Sequence, residues 1–128
     1  MSSFYTYLAV AAGGAVGSLG RFTLAGQVMR WVGPGFPWGT MACNVLGGLV
    51  MGIITELFAL KLSLPRPAQA GLAVGVMGGF TTFSSFSLET VLMIDRHQWA
   101  QAFAYTAGSV VLCVGAVLVG MTVVRTLG

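Results

Sequence analysis

The chain has 128 residues, of which 56% are hydrophobic and 7% are charged, and its formal net charge is +3. With a mean hydropathy of +0.89, this composition excludes a soluble domain and indicates an integral membrane protein. The six basic residues are dispersed along the chain, so no basic patch is present for nucleic acid.

Four apolar segments are long enough to cross a bilayer, because a span needs about 20 apolar residues. They run from Tyr5 to Met29, Phe36 to Leu60, Pro67 to Ile94 and Gln98 to Val124. The loops between them are short, which makes neighbouring helices antiparallel. We therefore expect an all-α membrane protein with one four-helix transmembrane domain over residues 1–128. We expect no enzymatic activity, because no nucleophile, base and orienting group converge.

The first segment contains Arg21 within an apolar stretch. It lacks the basic n-region of a secretory signal peptide, and it stays apolar beyond a usual h-region. We therefore expect it to remain as a membrane span. The Arg21 charge has to reach an interface, a partner or an aqueous vestibule, because burial at mid-bilayer is costly. Either Arg21 snorkels or pairs structurally, or it contributes to an electropositive vestibule.

The second segment carries a polar stripe, because Thr40, Asn44, Gly48 and Gly52 recur every four residues and share one helix face. Asn44 is the only carboxamide in a predicted membrane interior. It either bonds a neighbouring helix or lines a pore with its amide donors.

The third segment contains a hydroxyl-rich run with two glycines, from Gly78 to Ser87. We expect this helix to be broken in the Gly78-Gly79 region, ending near Met77 and restarting near Thr82. Irregular backbone at membrane depth is tolerated only where protein buries it or where it lines an aqueous cavity. Freed carbonyls from Gly78 to Thr81 suit a cation such as sodium.

Two phenylalanines and a carboxylate follow this run. Phe83 and Phe86 share a face with Glu89 one turn on. The rings either pack or present their electropositive edges to a small anion. Glu89 is a proton-coupling carboxylate, a partner for Arg21, or a structural or vestibule residue.

The fourth segment has a second stripe with steps of three and four residues, formed by Gln98, Gln101, Tyr105, Ser109 and Cys113. Its hydroxyls either bond neighbouring helices or form a polar track. Cys43 and Cys113 lie in mid-span, which is typical of small packing residues.

An oligomer is expected, because four such helices enclose little space for a water-filled path. Basic residues are nearly balanced between the two membrane sides, which permits insertion in both orientations and an antiparallel homodimer. Glycines four residues apart, in the pairs 13 and 17, 48 and 52, 71 and 75, and 75 and 79, predict close helix contacts.

Over its whole length the chain resembles the small dual-topology fluoride channels, often called Fluc or CrcB. The resemblance rests on Gly-Gly-x-Thr-Thr-Phe-Ser-x-Phe-Ser from Gly78 followed by Glu89, on Gly39-Thr40 and Asn44 with Gly47-Gly48, on Gly-x-x-x-Arg ending at Arg21, and on Tyr105 with Ser109.

This resemblance implies a passive fluoride-selective channel of the bacterial inner membrane, which exports cytoplasmic fluoride without an organic cofactor. It implies an antiparallel homodimer with two pores, whose third helices cross at their breaks. One central structural sodium ion would be bound there by the backbone carbonyls of Gly78 and Thr81 from each subunit.

The resemblance also implies roles for individual residues. Asn44 would donate to fluoride, and Phe83 and Phe86 would form an aromatic box. The remaining positions of the polar track would be Thr40, Thr82, Ser85, Tyr105 and Ser109. Arg21 and Glu89 would be charged positions near the pore or its vestibule.

Two positions depart from the usual family pattern. Ser85 stands where Thr is common and keeps the hydroxyl. Cys113 stands where Ser is common and is a poorer donor at that end of the track.

Two other functions remain open. Proton-coupled multidrug exporters of similar size resemble the chain in outline but need a carboxylate in the first helix, where this chain has Arg21 and no Asp or Glu. Glu89 would have to replace it. A non-transporting scaffold would account for the glycine faces but not for the Thr and Ser run.

Overall fold

A computed structural model describes residues 2–127 of the chain. Its α-helices are α1 (Ser2–Val32), α2 (Trp38–Leu60), α3 (Arg66–Ala70), α4 (Gly78–Phe80), α5 (Phe83–Asp95) and α6 (Trp99–Leu127), and a π-helical segment (Gly71–Met77) joins α3 to α4. Four stretches in this range are long and apolar enough to cross a membrane: α1, α2, Arg66–Asp95 and α6. The prediction of an all-helical protein with four candidate spans is confirmed.

The first helix ends at Val32, directly before Gly33. The amide of Gly33 donates to Met29 O at 2.9 Å, and Gly33 has a φ of 91°. This left-handed conformation is common just beyond a helix end and carries no penalty for a residue without a Cβ. The chain then turns through Pro37 into α2.

Glycines set the contact between α1 and the first half of the third span. A Cβ added to Gly17 would overlap Val76 O, and one added to Gly75 would lie 2.8 Å from Val10 O. The two backbones are therefore in direct contact, as small residues at four-residue steps permit. The sequence prediction of close helix contact at these glycines is confirmed.

The other extensive contact joins α2 to α6. A Cβ on Gly52 would overlap Val117 O, and one on Gly120 would overlap Leu49 O. At the end of this pair, Arg125 Nε donates to Glu56 Oε2 at 2.8 Å, and the Glu56 side chain is 10% exposed. Close packing and one ion pair thus fix α2 and α6 together.

The third span leaves helical geometry later than the sequence predicts. Helix α4 includes Gly78 and Gly79, and the chain becomes extended at Thr81 (φ −95°, ψ 157°) and Thr82 (φ −151°, ψ 123°). We call these two residues the extended pair. The prediction that the helix ends near Met77, with its break at the two glycines, is wrong by about one turn.

The contacts of Gly79 and Thr81 explain this difference. A Cβ on Gly79 would lie 2.7 Å from Gly14 O, so this glycine serves close packing inside the helix. Thr81 closes the last turn, because its amide and its hydroxyl both donate to Met77 O at 3.0 Å. The helix therefore continues through the glycines and ends at its C-cap residue, Thr81, whose side chain bonds the carbonyl of the preceding turn, Met77 O.

Candidate functional site

Asn44 on α2 holds the extended pair in place. Its Oδ1 accepts a hydrogen bond from Thr82 N at 2.8 Å, and its Nδ2 donates to Thr82 O at 3.0 Å. The Asn44 amide thus bonds both backbone groups of a residue that no longer belongs to a helix. An amide nitrogen carries two hydrogens, so the second Nδ2 hydrogen can still serve a ligand.

Thr82 also caps the helix that follows. Ser85 N donates to Thr82 Oγ1 at 3.1 Å, and Ser84 Oγ lies 3.3 Å from the same oxygen. Extended backbone with a hydroxyl that accepts from the third residue on is the usual N-cap arrangement. The family resemblance implies that Thr82 and Ser85 belong to the polar track, and the structure places the Thr82 hydroxyl and the Ser85 amide in this cap.

Two backbone carbonyls lose their helical donors here. In a continuous helix Thr82 N would donate to Gly78 O, and Ser85 N would donate to Thr81 O. These amides donate instead to Asn44 Oδ1 and to Thr82 Oγ1. The carbonyls of Gly78 and Thr81 are therefore left without these donors near the middle of the third span.

A cleft of about 440 Å³ lies beside the extended pair. Its lining comes from α2, α6 and both halves of the third span. The lining includes Asn44, Met51, Met77, Thr81, Thr82, Phe83, Phe86, Ser109 and Cys113. Ser109 is 6% exposed, and its Oγ has no hydrogen-bond partner among the described residues. A buried hydroxyl of this kind has the capacity to bind a ligand in the cleft.

The two phenylalanines of the cleft have very different environments. Phe86 is 9% exposed and Phe83 is 78% exposed, with their ring centroids 5.6 Å apart. The Phe86 ring lies 5.0 Å from the Tyr105 ring, which in turn meets Phe36 edge-on at 5.4 Å. Phe86 is therefore part of an interior aromatic cluster, and Phe83 stands at the outer edge of the cleft.

Glu89 accepts hydrogen bonds from two hydroxyl groups, which belong to different helices. Tyr105 Oη donates to Glu89 Oε1 at 2.7 Å, and Thr40 Oγ1 donates to Glu89 Oε2 at 2.9 Å. Tyr105 is fully buried. The sequence places Thr40, Tyr105 and Ser109 in one polar track, whereas the structure binds the first two to Glu89 and leaves Ser109 in the cleft.

A second cavity of about 740 Å³ opens toward the loops around residues 33–37 and 96–98, and we call it the vestibule. Its lining includes Arg21, Arg30, Arg96, Thr40 and Glu89. Three arginines against one glutamate make its fixed charge positive. The vestibule and the cleft are about one helical turn apart on α2, from Thr40 to Asn44, which is about 6 Å.

Arg21 both bonds a neighbouring helix and lines a cavity, so the structure does not choose between the two roles that the sequence leaves open. Its Nε donates to Gly79 O at 3.0 Å, and the residue lines the vestibule. Among the described residues the structure gives one ion pair, between Arg125 and Glu56. Arg21 and Glu89 therefore do not form an ion pair with each other in the described part of the chain, and each side chain is held by other partners.

One known protein family matches most of the chain. The family model described as CrcB-like protein, Camphor Resistance (CrcB), matches residues 8–121. The chain belongs to the CrcB family. Members of this family are ion channels, so the prediction that the chain is not an enzyme is confirmed.

Several relatives are similar to this CrcB chain over nearly their whole length. A protein of Nitrobacter winogradskyi named fluoride-specific ion channel FluC is 52% identical over 120 residues, which are 94% of this chain and 95% of the relative. Proteins of the same name from Caulobacter vibrioides and Phenylobacterium zucineum are 49% and 47% identical, over 92% of this chain and 94% of each relative.

Sequence reasoning missed part of the cleft in this CrcB chain. Met51 and Met77 line it, and the sequence gives neither of them a role in the site. Cys113 also lines it, in agreement with the polar stripe that the sequence identifies, since Cys113 follows Ser109 by four residues on one helix face. No comparable signal identifies the two methionines, because their position in the cleft depends on how the helices pack.

Proposed function

We propose that the chain is a passive fluoride-selective channel of the bacterial inner membrane, through which cytoplasmic fluoride leaves the cell. The observation that carries this proposal is the buried Ser109 hydroxyl, which has no partner in the described part of the chain and lies in a cleft that also contains Asn44 and two phenylalanines. Leaving a buried polar group unsatisfied costs about 1–3 kcal/mol, so a ligand that accepts its hydrogen bond is expected. The names of the relatives support fluoride as that ligand.

The chemistry of the cleft suits a small, strongly hydrated anion. The Ser109 hydroxyl and the second Asn44 Nδ2 hydrogen are donors, and the edges of the Phe83 and Phe86 rings are electropositive. Among the described residues, no lysine or arginine lines the cleft. An anion there would be stabilised without a full countercharge, as conduction requires weak binding at successive sites.

The vestibule would supply this path with anions. Its three arginines raise the local concentration of anions near the cleft. Thr40 and Tyr105 hold the Glu89 carboxylate at the vestibule end. The path from there to Asn44 is therefore lined by aromatic rings and hydroxyl groups and not by this carboxylate. In this proposal a fluoride ion passes from the vestibule, past Phe86, to Asn44 and Ser109.

A second copy of the chain would complete the site, and we propose an antiparallel homodimer with two pores. The extended pair lies near the middle of the 30-residue span Arg66–Asp95, beside Phe83 and Ser84, which are both exposed. Lipid does not tolerate irregular backbone and exposed hydroxyls at this depth, so protein has to cover them. The near balance of basic residues between the two sides permits an inverted partner.

A structural sodium ion fits the same place. The carbonyls of Gly78 and Thr81 have lost their helical donors to Asn44 and Thr82, and unwound carbonyls of this kind coordinate sodium in transporters. In the proposed dimer each chain would contribute these two carbonyls where the third spans cross. The bound ion would supply positive charge that satisfies carbonyls from both chains.

Fluoride efflux from liposomes tests the proposed function. The purified protein is reconstituted, a potassium gradient is clamped with valinomycin, and fluoride release is followed with an electrode beside a parallel chloride-loaded sample. We expect fast fluoride release and retained chloride. Well-folded dimers that release no fluoride would overturn the channel, and binding of cationic drugs that titrates with Glu89 would favour an exporter instead.

A further inference from the structure

Three sulfur-containing side chains line the cleft from different parts of the bundle. Met51 comes from α2, Met77 from the π-helical segment and Cys113 from α6. Cys113 is a half-buried free thiol. Thioethers and thiolates are soft ligands, and they prefer soft metal ions such as copper(I).

The two cysteines of the chain differ in a way that singles out Cys113. Cys43 is completely buried, and its Sγ donates to Arg21 O at 3.7 Å. Cys113 lines the cleft one helical turn from Ser109, which is 6% exposed and whose hydroxyl has no partner among the described residues. That orphan hydroxyl marks the cleft as a place where a bound species is needed.

We propose that the cleft is a binding site for a soft monovalent metal ion, with silver(I) as its probe, and that Cys113, Met51 and Met77 are the ligands. Binding replaces the thiol proton: the S–H bond of Cys113 breaks, an S–Ag bond forms, and the proton leaves to water. No redox change is involved. The cleft has no lysine or arginine among its described lining residues to repel a cation.

The consequence for transport rests on the proposed fluoride path. A silver ion on Cys113 would occupy the cleft beside Ser109, so fluoride could no longer use the hydroxyl and amide donors there. Silver binding should therefore block fluoride efflux. The metal site itself depends only on the three sulfur atoms.

The flux experiment uses proteoliposomes in nitrate salts, because silver precipitates with chloride but not with fluoride. We expect silver nitrate to stop fluoride efflux by the wild-type protein and dithiothreitol to restore it. Each variant is compared with its own rate without silver. Silver should leave the rate of Cys113→Ser unchanged, whatever that rate is without silver, and Cys43→Ser should stay as sensitive to silver as the wild type. Met51→Leu combined with Met77→Leu should need at least roughly a hundredfold more silver, since it removes two ligands and the loss of even one supporting group typically costs 10–100-fold in metal affinity.

Silver content gives a readout that is independent of transport. Native mass spectrometry of the detergent-solubilised protein should find one silver ion per chain in the wild type and in Cys43→Ser, and none in Cys113→Ser. Equal silver content in Cys113→Ser and the wild type would overturn the metal site. A wild type that carries no fluoride before silver is added would instead count against the proposed channel, and the silver content would still decide the site.

Discussion

The two halves of the third span are built for different purposes. The half before the extended pair lies with its backbone against α1, so closely that Gly17 and Gly75 leave no room for a Cβ. The half after it packs less extensively, mainly against α6, and places Phe83, Phe86 and Glu89 along the two cavities. Glycine contacts anchor the first half, and hydrogen bonds from other helices position the second.

This contrast separates what holds the fold from what performs the function. Backbone contact through glycines gives a rigid support without polar chemistry. The extended pair then redirects the chain, and Asn44 fixes it with two hydrogen bonds. Changes before the pair should therefore affect folding, and changes after it should affect fluoride flux in a protein that still folds.

The largest expected effect comes from filling a glycine contact in the first half. In Gly17→Leu the new side chain has to displace Val76 O, a backbone atom that cannot rotate away. Overpacking typically costs about 1–3 kcal/mol, and a clash with backbone lies at or above the upper end. We expect little monodisperse protein in size-exclusion chromatography.

Gly14→Ala is the matched control for this contact. A Cβ on Gly14 would meet its nearest neighbour, Gly75 O, at 4.0 Å, which is ordinary van der Waals contact. This variant should elute and melt like the wild type. If Gly17→Leu behaved in the same way, α1 and the third span would not be in backbone contact.

The next largest effect is expected at the link between α2 and the extended pair. Asn44→Asp keeps an acceptor for Thr82 N but loses the donor to Thr82 O, and it adds a negative charge to the cleft. Two like charges about 4 Å apart repel by roughly 4 kcal/mol at an effective dielectric constant of 20. We therefore expect fluoride efflux to fall by at least about a hundredfold.

Gln101→Glu adds the same charge at an exposed position of α6 and serves as the control. Its efflux should stay close to that of the wild type. Both variants have to give monodisperse protein, so that a loss of flux is not a loss of fold. Undiminished efflux in Asn44→Asp would remove Asn44 from the fluoride path.

The sequence predicts the supporting half of this comparison well. Hydrophobic segments and glycine spacing depend on local composition and helical period, and both are visible in one chain. The four spans and the glycine contacts can be predicted from the sequence for this reason.

The extended pair is harder to place from sequence, because glycine has two uses that look the same. It can interrupt a helix or let another backbone approach, and Gly79 does the second against Gly14 O. The polar track has the same difficulty. Thr40 and Asn44 share a stripe, but only tertiary packing decides that one bonds Glu89 and the other bonds Thr82.

A smaller loss of efflux is expected at Ser109, and here stability should not fall with it. Ser109→Ala removes a buried hydroxyl without a partner, so the melting temperature should stay the same or rise. Efflux should fall by roughly ten- to a hundredfold, since a hydrogen bond to a charged group contributes about 1.5–3 kcal/mol. Thr122→Ala is the control, because that exposed α6 hydroxyl donates to its own helix at Leu118 O. A fall in both stability and flux would indicate a structural role for Ser109.

The smallest effect is expected where the second half meets the vestibule. Tyr105→Phe keeps the ring contacts with Phe36 and Phe86 and removes only the hydrogen bond to Glu89 Oε1. Thr40 still donates to the other carboxylate oxygen, so Glu89 loses one of two restraints. A typical hydrogen bond contributes about 0.5–1.5 kcal/mol, and we expect efflux to fall roughly two- to tenfold.

Tyr7→Phe controls for the loss of a phenol, because Tyr7 is 76% exposed. Combining Tyr105→Phe with Thr40→Val then shows whether Glu89 acts as one unit with its two hydroxyls. If both bonds serve to hold the carboxylate, the double variant should lose much more flux than the product of the single losses, since one remaining bond suffices in each single variant. Losses that simply multiply would mean that Thr40 and Tyr105 contact the ion independently, and the polar track would then continue from the cleft into the vestibule.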